Sequence, residues 1–131
     1  MAFLLDTNIC IFLMKGIPLV SERTKSHAKD EMLISEVPLA ELKYGVAKSD
    51  RRAENALALD RFLTGVHVLP IGDVLDVFAS EKARLARTGT MIADFDLLIG
   101  ATAVYHKLTL VTNNTKHFER LDGIDLADWT K

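Results

Sequence analysis

Three carboxylates interrupt stretches of sequence that are otherwise apolar. Asp6 follows Phe3-Leu4-Leu5 and precedes the run Ile9 to Met14, Glu41 sits within Leu39-Ala40-Glu41-Leu42, and Asp96 directly precedes Leu97-Leu98-Ile99. An ionised carboxylate is costly to bury unless it is paired, hydrogen-bonded or bound to a metal. Singly, each has a plain role: a turn acid at Asp6, an exposed helical residue at Glu41, an N-cap at Asp96. Gathered at one end of a fold, the three repel one another, and a hard divalent cation such as Mg²⁺ or Mn²⁺ is the natural compensation. Asn114 can add a neutral carbonyl oxygen as a weaker ligand. Asp94, two residues before Asp96, is a further candidate whose plain alternative is a solvated loop acid.

Other chemistries lack their residues. His27, His67, His106 and His117 fall into no zinc-ligand spacing with Cys10, the one cysteine. Neither a nucleophile elbow nor a phosphate-cradling glycine loop is present. A phosphatase built on a strand-end Asp nucleophile typically carries a second Asp two residues on, where this chain has Asn8.

The elements that must position the acids follow from periodicity. Phe3 to Leu5 reads as a short buried strand, so Asp6 falls at a strand's carboxyl end. Asn8 is expected to cap a helix running to about Lys15 and to orient Asp6, with Gly16 terminating the helix. A helix from Pro18 to about Ala28 leads to a strand at Met32-Leu33-Ile34. Ser35-Glu36-Val37-Pro38 opens a helix with Leu39, Leu42 and Val46 at helical spacing, and Asp50 to Thr64 is amphipathic. His67 to Leu69 is a brief strand; Asp73 is expected to cap a helix through Arg87 that ends at Gly89. Leu97 to Tyr105 is an apolar helix, and Leu108 to Thr112 is the strongest strand signal by β-branched content. Strands alternating with helices predict a three-layer α/β/α sandwich with a mainly parallel sheet. Ligands of such folds bind beyond the carboxyl ends of the strands, where Asp6 and Asn113-Asn114 both fall.

Composition sets the limits. The 131 residues are 49% hydrophobic and 26% charged, which fits one globular domain spanning 1–131. The longest apolar run is far short of the roughly 20 residues that cross a bilayer, and a single cysteine with no signal-peptide pattern suggests a cytoplasmic protein. The net charge of −2 argues weakly against a polyanionic partner, but setting aside three metal-bound acids turns the remainder slightly positive. Lys43, Lys48, Arg51 and Arg52 cluster, as do Lys116, His117 and Arg120, and Arg84 with Arg87. Of these, Lys43, Lys48, Arg51, Arg52, Lys116 and Arg120 are candidate phosphate contacts; solvated helix faces are the plain alternative. The run Ile9 to Met14 is apolar around a full helix, which suggests that part of it faces another chain.

Read together, LLDTN at the start, AEL around Glu41, DLLIGATA after Asp96 and LTLVTNNTKHFERL near the end resemble the PIN-domain ribonucleases, and within them the VapC toxins of toxin-antitoxin operons. The resemblance spans essentially the whole chain. It implies a five-stranded parallel sheet and a Mg²⁺- or Mn²⁺-dependent endoribonuclease acting on single-stranded or loop RNA, such as a tRNA loop, to leave 5′-phosphate and 3′-hydroxyl ends. Asp6, Glu41 and Asp96 match the family's three principal acids. The fourth position, commonly Asp, is Asn114 here, an exchange that occurs in the VapC-like branch and leaves one or two bound ions open. Thr112 matches a hydroxyl residue that steadies the metal site. A bound ion would lower the pKa of a water and offset charge on the phosphoryl oxygens. The resemblance also implies a homodimer and a VapB-type antitoxin laid in a groove ending near the acids. A non-catalytic RNA- or partner-binding protein on the same scaffold is the competing reading, separable by a cleavage assay.

Overall fold

The apolar residues after Met1 form the first strand, β1 (Ala2–Leu5), in a computed structural model that describes residues 1–131. There follow α1 (Thr7–Lys15), α2 (Pro18–Ser26), β2 (Glu31–Ser35), α3 (Glu36–Ala47), α4 (Arg52–Leu63) and β3 (His67–Leu69). A short 3₁₀ turn, Gly72–Val74, leads into α5 (Leu75–Thr88); α6 (Asp94–His106), β4 (Thr109–Val111), α7 (Thr115–Phe118) and β5 (Asp125–Ala127) complete the chain.

All five strands are parallel, in the order β3-β2-β1-β4-β5. Successive crossovers carry the chain from β1 outward to β3, and the next returns it to the other side of β1. Right-handed crossovers that reverse direction put their helices on opposite faces, and the side chains divide accordingly. Phe3, Leu5, Ile34 and Val111 pack with Ile9, Val20 and Leu59 on one face. Leu4, Leu33 and Leu110 pack with Ile99, Ala103 and Phe118 on the other. The alternation within β1 is the period-2 signature of a strand covered on both sides. Leu4 and Leu5 are fully buried; truncating either to Ala costs about 2–5 kcal/mol.

Close approach has a local cause. A Cβ on Gly100 would stand 2.7 Å from the Leu121 side chain and 3.3 Å from Phe118, so glycine lets α6 lie against the segment linking β4 to β5. No helix is long and apolar enough to cross a membrane.

The structure corrects several expected boundaries. The cap of α1 is Asp6, not Asn8: the Asp6 backbone is extended and its carboxylate accepts the Thr7 amide. Asp73 lies in the 3₁₀ turn and does not cap α5, which starts at Leu75. The helix expected from Asp50 starts at Arg52, and the helix expected from Leu97 begins three residues earlier, so Asp96 lies in its first turn. The apolar run of α1 packs inward at Ile9 and Cys10, with Ile11 to Met14 half-buried around the same core. The core therefore accounts for much of that helix's apolar circumference.

Candidate active site

The strand order reverses between β1 and β4, and the crevice beyond their carboxyl ends is where an open parallel sheet presents a binding site. Register places Leu5 beside Val111, and the Asp6 amide continues the ladder to the Val111 carbonyl at 3.0 Å. Asp6 and Thr112 therefore emerge side by side. The Asp6 carboxylate is held at both oxygens: Oδ1 accepts the Thr7 amide at 2.8 Å and Oδ2 accepts the Thr112 hydroxyl at 2.7 Å. Thr112 Oγ1 also accepts the Asn114 amide at 3.0 Å.

Glu41 arrives from α3. Ser35, buried at the end of β2, caps that helix by accepting the Val37 amide at 3.0 Å, and Glu41 on that helix faces the start of α1. There the Thr7 hydroxyl donates to Glu41 Oε1 at 2.7 Å. Asp96 comes from the first turn of α6, where the positive end of the helix dipole favours an anion. Asp6, Glu41 and Asp96 line one cleft of about 860 Å³ together with Thr7, Asn8, Asn114, Lys48, Gly45, Ile11, Ala40, Tyr44 and Phe95.

Electrostatics mark the two Asp residues. Burial pushes the Asp6 carboxyl above its ordinary value, opposed by the Thr112 and Thr7 hydrogen bonds and reinforced by the charges of Asp96 and Glu41. Burial also raises Asp96, while His117 pulls it back. Carboxyls raised by burial in a cleft, in the Asp6 case with two further acids beside it, mark a site short of positive charge. As the side chains stand, no three of the His, Cys, Asp and Glu groups converge to ligating distance. The donors are nevertheless all hard oxygens, the set that suits Mg²⁺ or Mn²⁺. Each carboxylate oxygen has two acceptor positions, so the hydrogen bonds on Asp6 leave room for a cation.

A model of the PIN domain matches residues 3–124. The chain belongs to the PIN-domain family. It is 36% identical over 129 residues to the tRNA(fMet)-specific endonuclease VapC of Shigella flexneri, covering 98% of each chain. It is 35% identical to ribonuclease VapC2 of Rickettsia felis across the full length of both. Among solved structures it is similar to VapBC2 from Rickettsia felis bound to a promoter DNA fragment, with a TM-score of 0.92, 33% identity and coverage of 98% and 99%. It also resembles DNA-bound VapBC from Salmonella typhimurium, with a TM-score of 0.90, 36% identity and 98% coverage of each chain.

Within this PIN fold, Asp6, Glu41, Asp96 and Asn114 all face the cleft. Asp94 does not: its exposed carboxylate pairs with Lys82 at 2.9 Å. Asn8 lines the cleft, but the groups that hold Asp6 are Thr7 and Thr112. Of the candidate phosphate contacts, Lys48 lines the cleft, and Lys43, Arg52 and Lys116 are exposed. Arg51 pairs with Glu54 at 3.6 Å. Arg120 donates to the carbonyls of Met91 at 3.1 Å and Thr90 at 3.4 Å, so it braces the loop before α6. Sequence reasoning missed Thr7 as the tether of Glu41. It also missed His117, whose Nδ1 lies 2.8 Å from the Asn114 amide nitrogen; the helical spacing Asn114-x-x-His117 carried that signal.

Proposed function

We propose that this PIN-domain protein is a Mg²⁺- or Mn²⁺-dependent endoribonuclease of the VapC type, a toxin neutralised by a VapB-type antitoxin. The observation that carries the reading is the meeting of Asp6, Glu41 and Asp96 in one cleft at the β1–β4 crevice. Asp6, Asp96 and Glu41 would hold the cation, with Asn114 as a weaker ligand. One or two ions would supply Lewis-acid activation of water and stabilise charge on the phosphoryl oxygens. Thr112 and Thr7 hold the Asp6 carboxylate against rotation, and Thr7 keeps Glu41 in the cleft. Lys48 offers a charge to a neighbouring phosphate.

The substrate we assign is a structured RNA with an exposed loop, by likeness to a relative named for tRNA(fMet). We place the protein in the cytoplasm, as a homodimer through the half-buried α1 surface, and in a higher-order complex with antitoxin, by likeness to VapBC structures. Lys43, Arg52 and Lys116 are proposed as outer phosphate contacts. The test is RNA cleavage by purified protein with Mg²⁺ or Mn²⁺, against EDTA and an Asp6→Asn variant. Cleavage confined to the metal-loaded parent supports the reading, and equal cleavage in all three reveals a contaminating nuclease and defeats it.

A further inference from the structure

The cleft has aromatic walls that the chemistry of hydrolysis does not use. Of the chain's nine Phe, Tyr and Trp residues, only Tyr44, Phe95 and Tyr105 are exposed, at 66%, 55% and 47%. Two of these three, Tyr44 and Phe95, line the same cleft as the acids. They stand on separate walls. Tyr44 is one helical turn beyond Glu41 on α3, and Phe95 is the immediate neighbour of Asp96 at the start of α6.

Each aromatic is therefore fixed to a carboxylate-bearing turn. Lys48, the C-cap of α3 one turn beyond Tyr44, places its ammonium 5.0 Å from the Tyr44 ring centroid. The cleft thus joins a flat apolar face, a cation and a set of hard oxygen ligands. That combination matches a nucleotide, with its base, phosphate and phosphate-bound metal. Gly45 adds room: a Cβ there would meet nothing within 4 Å.

Resting on the ribonuclease reading, we propose that Tyr44 and Phe95 are stacking platforms for unpaired bases on the two sides of the scissile phosphate, which makes the site selective for single-stranded segments. A paired base has its faces covered by its neighbours in the helix and cannot reach either ring without being unstacked. An aromatic platform accepts any base, so it selects for strandedness and leaves sequence unread. A peptide partner is the other occupant such rings could take. The acids beside both rings, and the lysine on one of them, favour a metal-bridged polyanion over an apolar chain.

The probe is short oligoadenylate carrying one 2-aminopurine, whose fluorescence is quenched by stacking, mixed with full-length protein in Mg²⁺ and read by stopped flow before turnover. The parent should quench the single strand and leave the matching duplex with oligouridylate unaffected. Tyr44→Leu and Phe95→Leu, which keep an apolar side chain but remove the ring, should each weaken binding about tenfold, the size expected for one stacked base, and lose part of the quench. Tyr44→Trp and Phe95→Trp should retain both. Leu variants that bind and quench like the parent, or a duplex that binds as well as the single strand, overturn the proposal while leaving parental cleavage and the ribonuclease reading intact. Leu variants that keep RNA affinity but lose the antitoxin assign the rings to the protein partner, and also overturn it. A parent that neither binds nor cleaves RNA removes the ribonuclease reading itself, and this proposal with it.

Discussion

The Thr112 hydroxyl donates to Asp6 Oδ2 at 2.7 Å and accepts the Asn114 amide at 3.0 Å, so one buried group ties together the end of β1, the end of β4 and the loop that carries a fourth candidate ligand. Thr112→Val keeps the shape and removes both bonds. It leaves a buried carboxylate oxygen short of a donor, which costs about 1–3 kcal/mol. We expect a lowered melting temperature and weaker Mg²⁺ binding, both recovered by Thr112→Ser, as read by thermal unfolding and metal titration.

Asp6→Asn should abolish cleavage without weakening the fold. Burial raises the Asp6 carboxyl above its ordinary 3.8, so the folded state binds this proton more tightly than the unfolded state does. Its contribution then favours the fold below the ordinary value and declines as pH rises through the folded value, leaving a cost at neutral pH. In EDTA at pH 7 the variant should melt at or above the parent's temperature, with the gap closing as pH falls towards about 4. A structural acid would give the reverse, a variant that melts well below the parent at pH 7.

Asn114 separates a neutral from a charged ligand. Asn114→Ala should weaken Mg²⁺ binding less than Asp96→Asn, because an amide oxygen attracts a cation less than a carboxylate. Asn114→Asp should tighten it. Calorimetric titration checks both, and an Asn114→Asp variant with unchanged affinity would show that position 114 does not face the ion.

Two cations of the predicted phosphate-binding set should behave differently. Lys48 lines the cleft, so Lys48→Ala should weaken RNA binding and reduce the salt slope by about 1. Arg120 braces the carbonyls of Met91 and Thr90, so Arg120→Ala should lower thermal stability and leave the slope alone. Binding isotherms at several salt concentrations, with melting curves, distinguish them.

Gly45 lies inside α3, where glycine is about 1 kcal/mol worse than alanine, and no close neighbour requires it. Gly45→Ala should therefore raise the melting temperature. If the open floor admits substrate, KM for RNA should rise in the same variant.

The acids were legible because each broke an apolar pattern, and four strands because their runs were apolar or β-branched. The fifth strand's position was not. Asp125–Ala127 has three residues, begins with an exposed acid and lies at the sheet edge, too little for a period to show. Asn8 was read as the cap because Asn and Asp cap equally well, and only the extended backbone at Asp6 decides between them. Thr7 lay in plain view between them, yet its partner Glu41 is 34 positions away and meets it only because α3 packs on α1. Asp94 and Asp96 look alike in sequence. One faces the cleft and the other meets Lys82, because α5 lies against that side of α6.

The placing of β1 between β2 and β4 has a consequence for synthesis. Asp6 is made 106 positions before its partner Thr112. At about 5–20 residues per second, the ribosome needs on the order of ten seconds to pass from one to the other. Throughout that interval β1 lacks its neighbour on one side, and the crevice between β1 and β4 does not exist. A chain released before β4 is made lacks the β1–β4 pairing that brings Asp6 beside Thr112 and Asn114, so the cleft is a property of the finished sheet and of no shorter piece of it.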